Sequence, residues 1–374
     1  MFGHCRVPSA LAEIRLTDTG QTVGVAGGLP QGGGHGPLTN QQGFLADTAL
    51  QFKVITADGV LRTANSRTNP DLFWALRGGG PSAFAVIVEA TYKTFTDVSS
   101  SAINIDITPA HHGMNITLLW AAIKAFHSYS TTWVDNGLYV YYEIFGPQLH
   151  VHPIVGIGKT PAELQALIQP FFDDLAALGL SYESSSHAYD TFYDLYFALF
   201  EAEVAGNSAL TGGWTIGKQD VATNGSAVVD AFRFMTDNGG LLVGHMWNAG
   251  HGLPPTEWAK SAINPRFRNV VDKIITVLPI GGDAPLADKA AAQDRLTNVI
   301  DAALRAAAPN GAAYINEADP FQPNWQEAFW GTNYPRLLAA RRRWDPSGVF
   351  YAVSTPATEE WTQIEYGTRL CKRA

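Results

Sequence analysis

Two different hydrophobic periods alternate along this chain, and each change of period marks an element. Between residues 51 and 63, apolar and β-branched side chains flank an Ala57-Asp58-Gly59 turn, the pattern of a β-hairpin. Residues 84–95 read as a strand, because Phe84, Val86, Val88, Ala90 and Tyr92 alternate with Ala85, Ile87, Glu89, Thr91 and Lys93. A short polar stretch follows at 96–101. Ile103, Ile105 and Ile107 then alternate with Asn104, Asp106 and Thr108, so we place a domain boundary there.

Beyond it the pattern predicts a helix over 118–129, strands over 137–145 and 149–157 around a Gly146-Pro147 turn, and a helix over 160–178. In the last, Thr160 and Glu163 form a capping box, Pro161 takes the first helical position and Gly179 closes the end. Leu164, Leu167, Ile168, Phe171, Leu175 and Leu178 form one apolar stripe, and Pro170 is expected to kink it. Strand-like runs return at 240–247 and 274–278, and a helix over 288–307 is stopped by Pro309-Asn310-Gly311. The middle of the chain is therefore α+β, without an internal repeat.

Composition narrows the function. With 374 residues, 46% hydrophobic and 16% charged, the chain can fill two packed cores and is too apolar for disorder. A net charge of −9 supplies no broad cationic field, which disfavours nucleic acid and anionic membrane as partners. The basic run Arg341-Arg342-Arg343 reads as a solvated helix face. Only Cys5 and Cys371 are present, so at most one disulfide can form. The apolar runs at 239–247 and 274–280 are far below the roughly 18 residues of a membrane span. The first ten residues lack the basic start and apolar run of a signal peptide, and localisation stays open.

The densest chemical signal is Gly24-Val-Ala-Gly-Gly-Leu-Pro-Gln-Gly-Gly-Gly-His-Gly36, in which seven of 13 residues are glycine. Its apolar members distinguish it from a flexible spacer, and peptide N–H groups freed of Cβ atoms can lie against a planar or anionic ligand. A dinucleotide fingerprint is excluded, because Gly32 and Gly34 are followed by Pro37 where the third glycine belongs. A P-loop is approached by 212–218, but Gln219 stands where Ser or Thr must hold Mg²⁺. The second cluster, Arg77-Gly78-Gly79-Gly80, reads either as a helix-to-strand turn or as backbone pressed against a cofactor. His150 and His152 share one strand face, the spacing of a metal pair, but the sequence identifies no third ligand and no metal is expected. His111-His112 is equally unsupported, and no Gly-x-Ser-x-Gly or His-Glu-x-x-His motif is present.

Three ordered segments resemble one family: Val-Gly-Val-Ala-Gly-Gly with Gln-Gly-Gly-Gly-His-Gly-Pro-Leu (23–38), Val-Ile-Thr-Ala-Asp-Gly (54–59), and Asn-Pro-Asp-Leu-Phe-Trp-Ala-Leu-Arg-Gly-Gly-Gly (69–80). They are similar to the FAD-linked oxidases of the vanillyl-alcohol oxidase superfamily, most of all the fungal berberine-bridge-enzyme-like oxidoreductases. Residues 314–319, 324–337 and 345–350 look like that family's closing segment, and Ala262-Ile-Asn-Pro265 adds a weaker match. The resemblance implies an α+β fold with a partial FAD-binding domain over 1–97, a substrate domain over 98–310 built on an antiparallel sheet with helices on one side, and a segment over 311–374 returning to the FAD domain. It implies hydride transfer from a small organic substrate to FAD, O₂ as acceptor, and a role in fungal secondary metabolism.

Carried over by motif, the cofactor-binding residues are Gly24, Gly27, Gly28, Gly32, Gly33, Gly34, His35, Asp47, Gly78, Gly79, Gly80, Phe84, Val86, Asn316, Asn333 and Tyr334. The family's preceding FAD subdomain, with its Arg-Ser-Gly-Gly-His-like loop, has no counterpart in residues 1–19. The resemblance thus leaves three forms open: a short oxidase, a redox-inactive metabolite-binding remnant, and a chain that pairs with a separate N-terminal FAD subdomain. Gly20 occupies the position of a flavin-linked Cys found in many relatives, so bicovalent attachment is excluded and non-covalent FAD is expected. Phe329-Trp330 stand where a Tyr base is often found. Tyr139, Tyr141 and Tyr142 are alternatives that equally suit packing, and no catalytic base is assigned.

Overall fold

The computed structural model, which describes residues 13–14, 23–200, 208–364 and 369–373, is organised around two larger antiparallel sheets. The smaller belongs to the glycine-rich N-terminal part. After helix α1 (Gly28–Gly32), the expected hairpin forms as β1 (Ala49–Ile55) and β2 (Leu61–Asn65), with Gly59 at φ 76° in the turn. Helix α2 (Pro70–Leu76) leads through the second glycine cluster to β3 (Val86–Tyr92), and the order is β2-β1-β3.

The larger sheet has seven strands. In chain order its elements are β4 (Ser100–Ile107), α3 (Ile116–Ser128), β5 (Tyr139–Phe145), β6 (Gln148–Ile157), α4 (Pro161–Ala177), β7 (Glu183–Tyr189), α5 (Phe192–Leu199), β8 (Ala209–Gly217), α6 (Lys218–Asp237), β9 (Leu241–Met246) and β10 (Val270–Pro279). The strands lie in the order β8-β10-β9-β5-β6-β4-β7, every pair antiparallel. Because successive side chains point to opposite faces, each strand serves two cores. Ile105, Ile107, Val140, Tyr142, Ile144 and Val151 face the back, where α3, α4 and α6 pack. There the Phe126 ring lies 5.0 Å from Tyr142 and 5.7 Å from Phe171, and His127 lies 5.3 Å from Phe232.

On the front, Ala102, Tyr139 and Val155 join Phe192, Leu195 and Tyr196 of α5 and the glycine-segment residues Leu29, Leu38 and Phe44. The expected helices behind the sheet are thus present, and α5 is a further one on the opposite face. The chain continues through α7 (Leu286–Arg295), a π-turn at Leu296–Ile300, α8 (Asp301–Ala307), α9 (Trp325–Trp330) and α10 (Tyr334–Trp344). The helix expected over 288–307 is therefore two helices about a π-turn.

Local chemistry explains most boundaries. In α4 the Glu163 carboxylate accepts the Thr160 N–H at 2.8 Å and Thr160 Oγ1 accepts the Glu163 N–H at 3.3 Å; Gly179 follows at φ 68°. Pro170 sits inside this helix without ending it. Residues 212–217 run extended in β8, which removes any P-loop. The basic run corrects one expectation: Arg341 is buried, ion-paired with Asp345 and bonded to the Phe350 carbonyl, while Arg342 and Arg343 are solvated. Cys371 is exposed, and Cys5 lies outside the described residues.

Candidate functional site

Three segments remote in sequence meet at the N-terminal glycines. The Gly34 N–H donates to the Tyr314 hydroxyl at 2.8 Å, the Gly78 N–H to the Pro30 carbonyl at 3.0 Å, and the Gly80 N–H to the Gln31 carbonyl at 2.8 Å. Trp330 Nε1 donates to the Gly78 carbonyl at 3.0 Å, and Asn333 Nδ2 to the Ile263 carbonyl at 2.9 Å.

The glycines fall into two groups by what a Cβ would meet. At Gly32 it would lie 2.1 Å from Asn316 Oδ1, at Gly34 2.8 Å from Leu45 Cβ, at Gly78 2.5 Å from Ile263 Cγ1, at Gly79 2.5 Å from Leu337 Cδ2, and at Gly80 3.0 Å from Trp330. Gly33 and Gly34 also take φ of 133° and 82°. These glycines let the chain press against itself. Gly24, Gly27 and Gly28 differ: a Cβ at Gly24 would meet nothing within 4 Å, at Gly27 only the Gly24 carbonyl at 3.6 Å, and at Gly28 only Pro81 Cβ at 3.9 Å. At these three positions a Cβ has room.

The other residues singled out by sequence take distinct places. Phe84 is wholly buried, whereas Val86 is exposed. Tyr334 donates to Glu359, and burial followed by that carboxylate pushes its phenol up. Asp47 is buried in a bidentate pair with Arg268, at 2.7 and 2.9 Å, and also accepts from Ser261 Oγ at 2.8 Å and the Phe44 N–H at 3.0 Å.

His35, by contrast, faces a polar row on the front of the large sheet. Register places Tyr141 on β5 opposite His245 on β9, and His245 opposite Lys273 on β10, so three adjacent strands present these side chains side by side. The His35 ring lies 5.0 Å from His245 and Tyr314 and stacks on Trp247 at 5.6 Å. Its Nε2 is 3.3 Å from the Glu317 carboxylate and 3.3 Å from Lys273 Nζ, and Lys273 and Glu317 form an ion pair. His245 Nδ1 is 2.9 Å from the Tyr139 hydroxyl. Burial, then the neighbouring Lys273 and His35, hold His245 well below the usual imidazole range, so it stays neutral.

Of the three candidate tyrosines, Tyr139 and Tyr141 reach this row, and Tyr141 donates to Glu143 at 2.9 Å. Tyr142 lies on the back, donating to Asp272 at 2.6 Å, and burial followed by that carboxylate raises its phenol far up. Sequence reasoning passed over Lys273, His245 and Glu317. The adjacent Asp272-Lys273 inside an otherwise apolar strand is the signal that marks the row, since charges enter such strands only when paired.

The family described as "Berberine and berberine like" matches residues 313–353, the segment that brings Tyr314, Glu317 and Trp330 to this site. Over 355 residues the chain is 33% identical to the FAD-linked oxidoreductase sor8 of Hypocrea jecorina, with 94% of this chain and 60% of that protein covered. It is 28% identical to the bifunctional decalin synthase calF of Penicillium decumbens, covering 94% and 61%. The solved VAO-type flavoprotein MtVAO615 of Myceliophthora thermophila superposes with a TM-score of 0.88 at 28% identity, over 96% of this chain and 66% of that one. The chain is a homologue of the VAO-type FAD-linked oxidoreductases. The chain spans about three fifths of the length of the curated relatives it matches.

Proposed function

We propose that this chain supplies part of an FAD-dependent oxidoreductase acting on a small organic substrate, with O₂ as electron acceptor and a place in fungal secondary metabolism. The observation that carries the reading is the convergence of residues 24–36, 78–80 and 314–317 beside a buried polar row on one sheet face. The residues present fit one side of a flavin site. Gly24, Gly27 and Gly28 would hold the cofactor where a Cβ meets little or nothing, while Gly32, Gly33, Gly34, Gly78, Gly79 and Gly80 let the adjoining segments pack closely. FAD, when bound, supplies the hydride acceptor.

The chain's own groups do the rest. The partly exposed Tyr141 phenol orients a substrate oxygen, neutral His245 fixes the buried Tyr139 hydroxyl, the Lys273–Glu317 pair holds His35 in place, and α5 with the aromatic cluster around Trp247 excludes water. Exposed Leu61, Val86 and Val88 support contact with a further FAD subdomain at the small sheet.

FAD titration of the full chain tests this. We expect saturable binding with a visible flavin spectrum, abolished by Gly28→Trp with melting temperature unchanged, and turnover lowered by Tyr141→Phe without loss of FAD affinity. A chain that binds no FAD, yet still binds small metabolites, would establish the redox-inactive reading instead.

A further inference from the structure

Asp106 on β4 and His150 on β6 are cross-strand partners, and His152 follows His150 on the same face. The neighbours Ile105, Ile107, Leu149 and Val151 all point into the back core, so this trio stands on the front of the sheet. His150 Nδ1 lies 2.5 Å from Asp106 Oδ1 and His152 Nε2 2.9 Å from Asp106 Oδ2, with the two imidazoles stacked at 3.7 Å. The structure thus provides the third ligand that spacing in the sequence does not show.

We propose that Asp106, His150 and His152 form a binding site for one divalent transition-metal ion of the Zn²⁺, Co²⁺ and Ni²⁺ class. The three ligand atoms lie within 4.8 Å of one another. In a tetrahedral shell about 2.1 Å from its ligand atoms, neighbouring ligands lie about 3.4 Å apart, so the 2.5 and 2.9 Å pairs seen here, one to each Asp106 oxygen, open by under about 1 Å to admit the ion. Two imidazoles with one carboxylate suit borderline first-row ions and disfavour Ca²⁺ and Mg²⁺, which take oxygen shells.

The side chains are 27–36% exposed, so the remaining coordination positions open to water. Glu183 stands opposite Asp106 and Glu143 opposite His150, adding negative charge around the trio, while His111 lies 3.6 Å from Glu183. Glu143 also accepts the Tyr141 hydroxyl, which connects the trio to the front-face row. Metal entry replaces the two imidazole–carboxylate hydrogen bonds, each neutral imidazole then carrying its N–H on the ring nitrogen away from the metal.

Titration of the full chain with Co²⁺, read by its visible d–d absorbance and by calorimetry, is the test. One equivalent should bind, with affinity falling about tenfold or more in both Asp106→Asn and His152→Gln. Paramagnetic shifts in the unmodified chain should concentrate on the His150 and His152 imidazoles, a readout independent of how the variants fold. Absence of saturable binding, binding unchanged in both variants, or shifts centred on other histidines would overturn the proposal.

Discussion

Replacing Asp47 by alanine removes a carboxylate that holds four donors: two N–H groups of Arg268, the Ser261 hydroxyl and the Phe44 N–H. Arg268, only 2% exposed, would keep the Ala249 carbonyl and the Ser261 hydroxyl as hydrogen-bond acceptors. Breaking a buried pair from one side costs roughly 3–5 kcal/mol, and the retained carbonyl bond argues for the lower end, about 3 kcal/mol. The midpoint of guanidinium unfolding, measured without FAD, should fall accordingly in Asp47→Ala. The double variant Asp47→Leu with Arg268→Met should recover most of the loss, because it leaves no orphaned charge. Motif carry-over places Asp47 beside a flavin, and that role makes a different prediction. A cost below about 1 kcal/mol in the FAD-free chain, or one that emerges only with FAD, would refute the ion-pair reasoning.

Two further outcomes follow from packing and charge. Burial pushes the Asp301 carboxyl up to about 6, against the opposing bonds from Thr276 and the Gly213 N–H. A folded value above the unfolded one stabilises below about pH 4, and that stability is lost as pH rises to about 6, some 3 kcal/mol in all. Asp301→Asn should flatten that part of the urea-midpoint profile, and identical profiles would reject it. Gly244→Ala places a Cβ 2.0 Å from the Tyr142 ring and forces that phenol off Asp272, at about 3 kcal/mol or more, whereas Gly24→Ala should leave thermal stability unchanged.

How much was legible in the sequence depended on the range of the interaction. Helix α4 was readable because its capping box, leading proline and closing glycine act within a few residues. Strand β7 was not: Glu183, Ser184, Ser185, Ser186 and His187 are all exposed, and an edge strand solvated on both faces has no alternation to find. Helix α6 was hidden by Asn224, whose φ of −128° breaks the period near its middle. The two glycine clusters were visible as clusters, yet which glycines face open space and which receive Asn316, Ile263 or Trp330 depends on contacts between distant segments. His35 stood out by its setting, whereas its neighbours Lys273, His245 and Glu317 come together only through strand register.

Consecutive residues of β10 place Asp272 and Lys273 back to back, one holding Tyr142 and His127 behind the sheet, the other meeting Glu317 and His35 before it. A ligand that slid this strand along its neighbours would drag the rear carboxylate out of register with its partners and leave it stranded in apolar surroundings. The front-face row is therefore anchored from below, and at the proposed site tolerance for differently shaped molecules has to come from rotamers and from the loops above it.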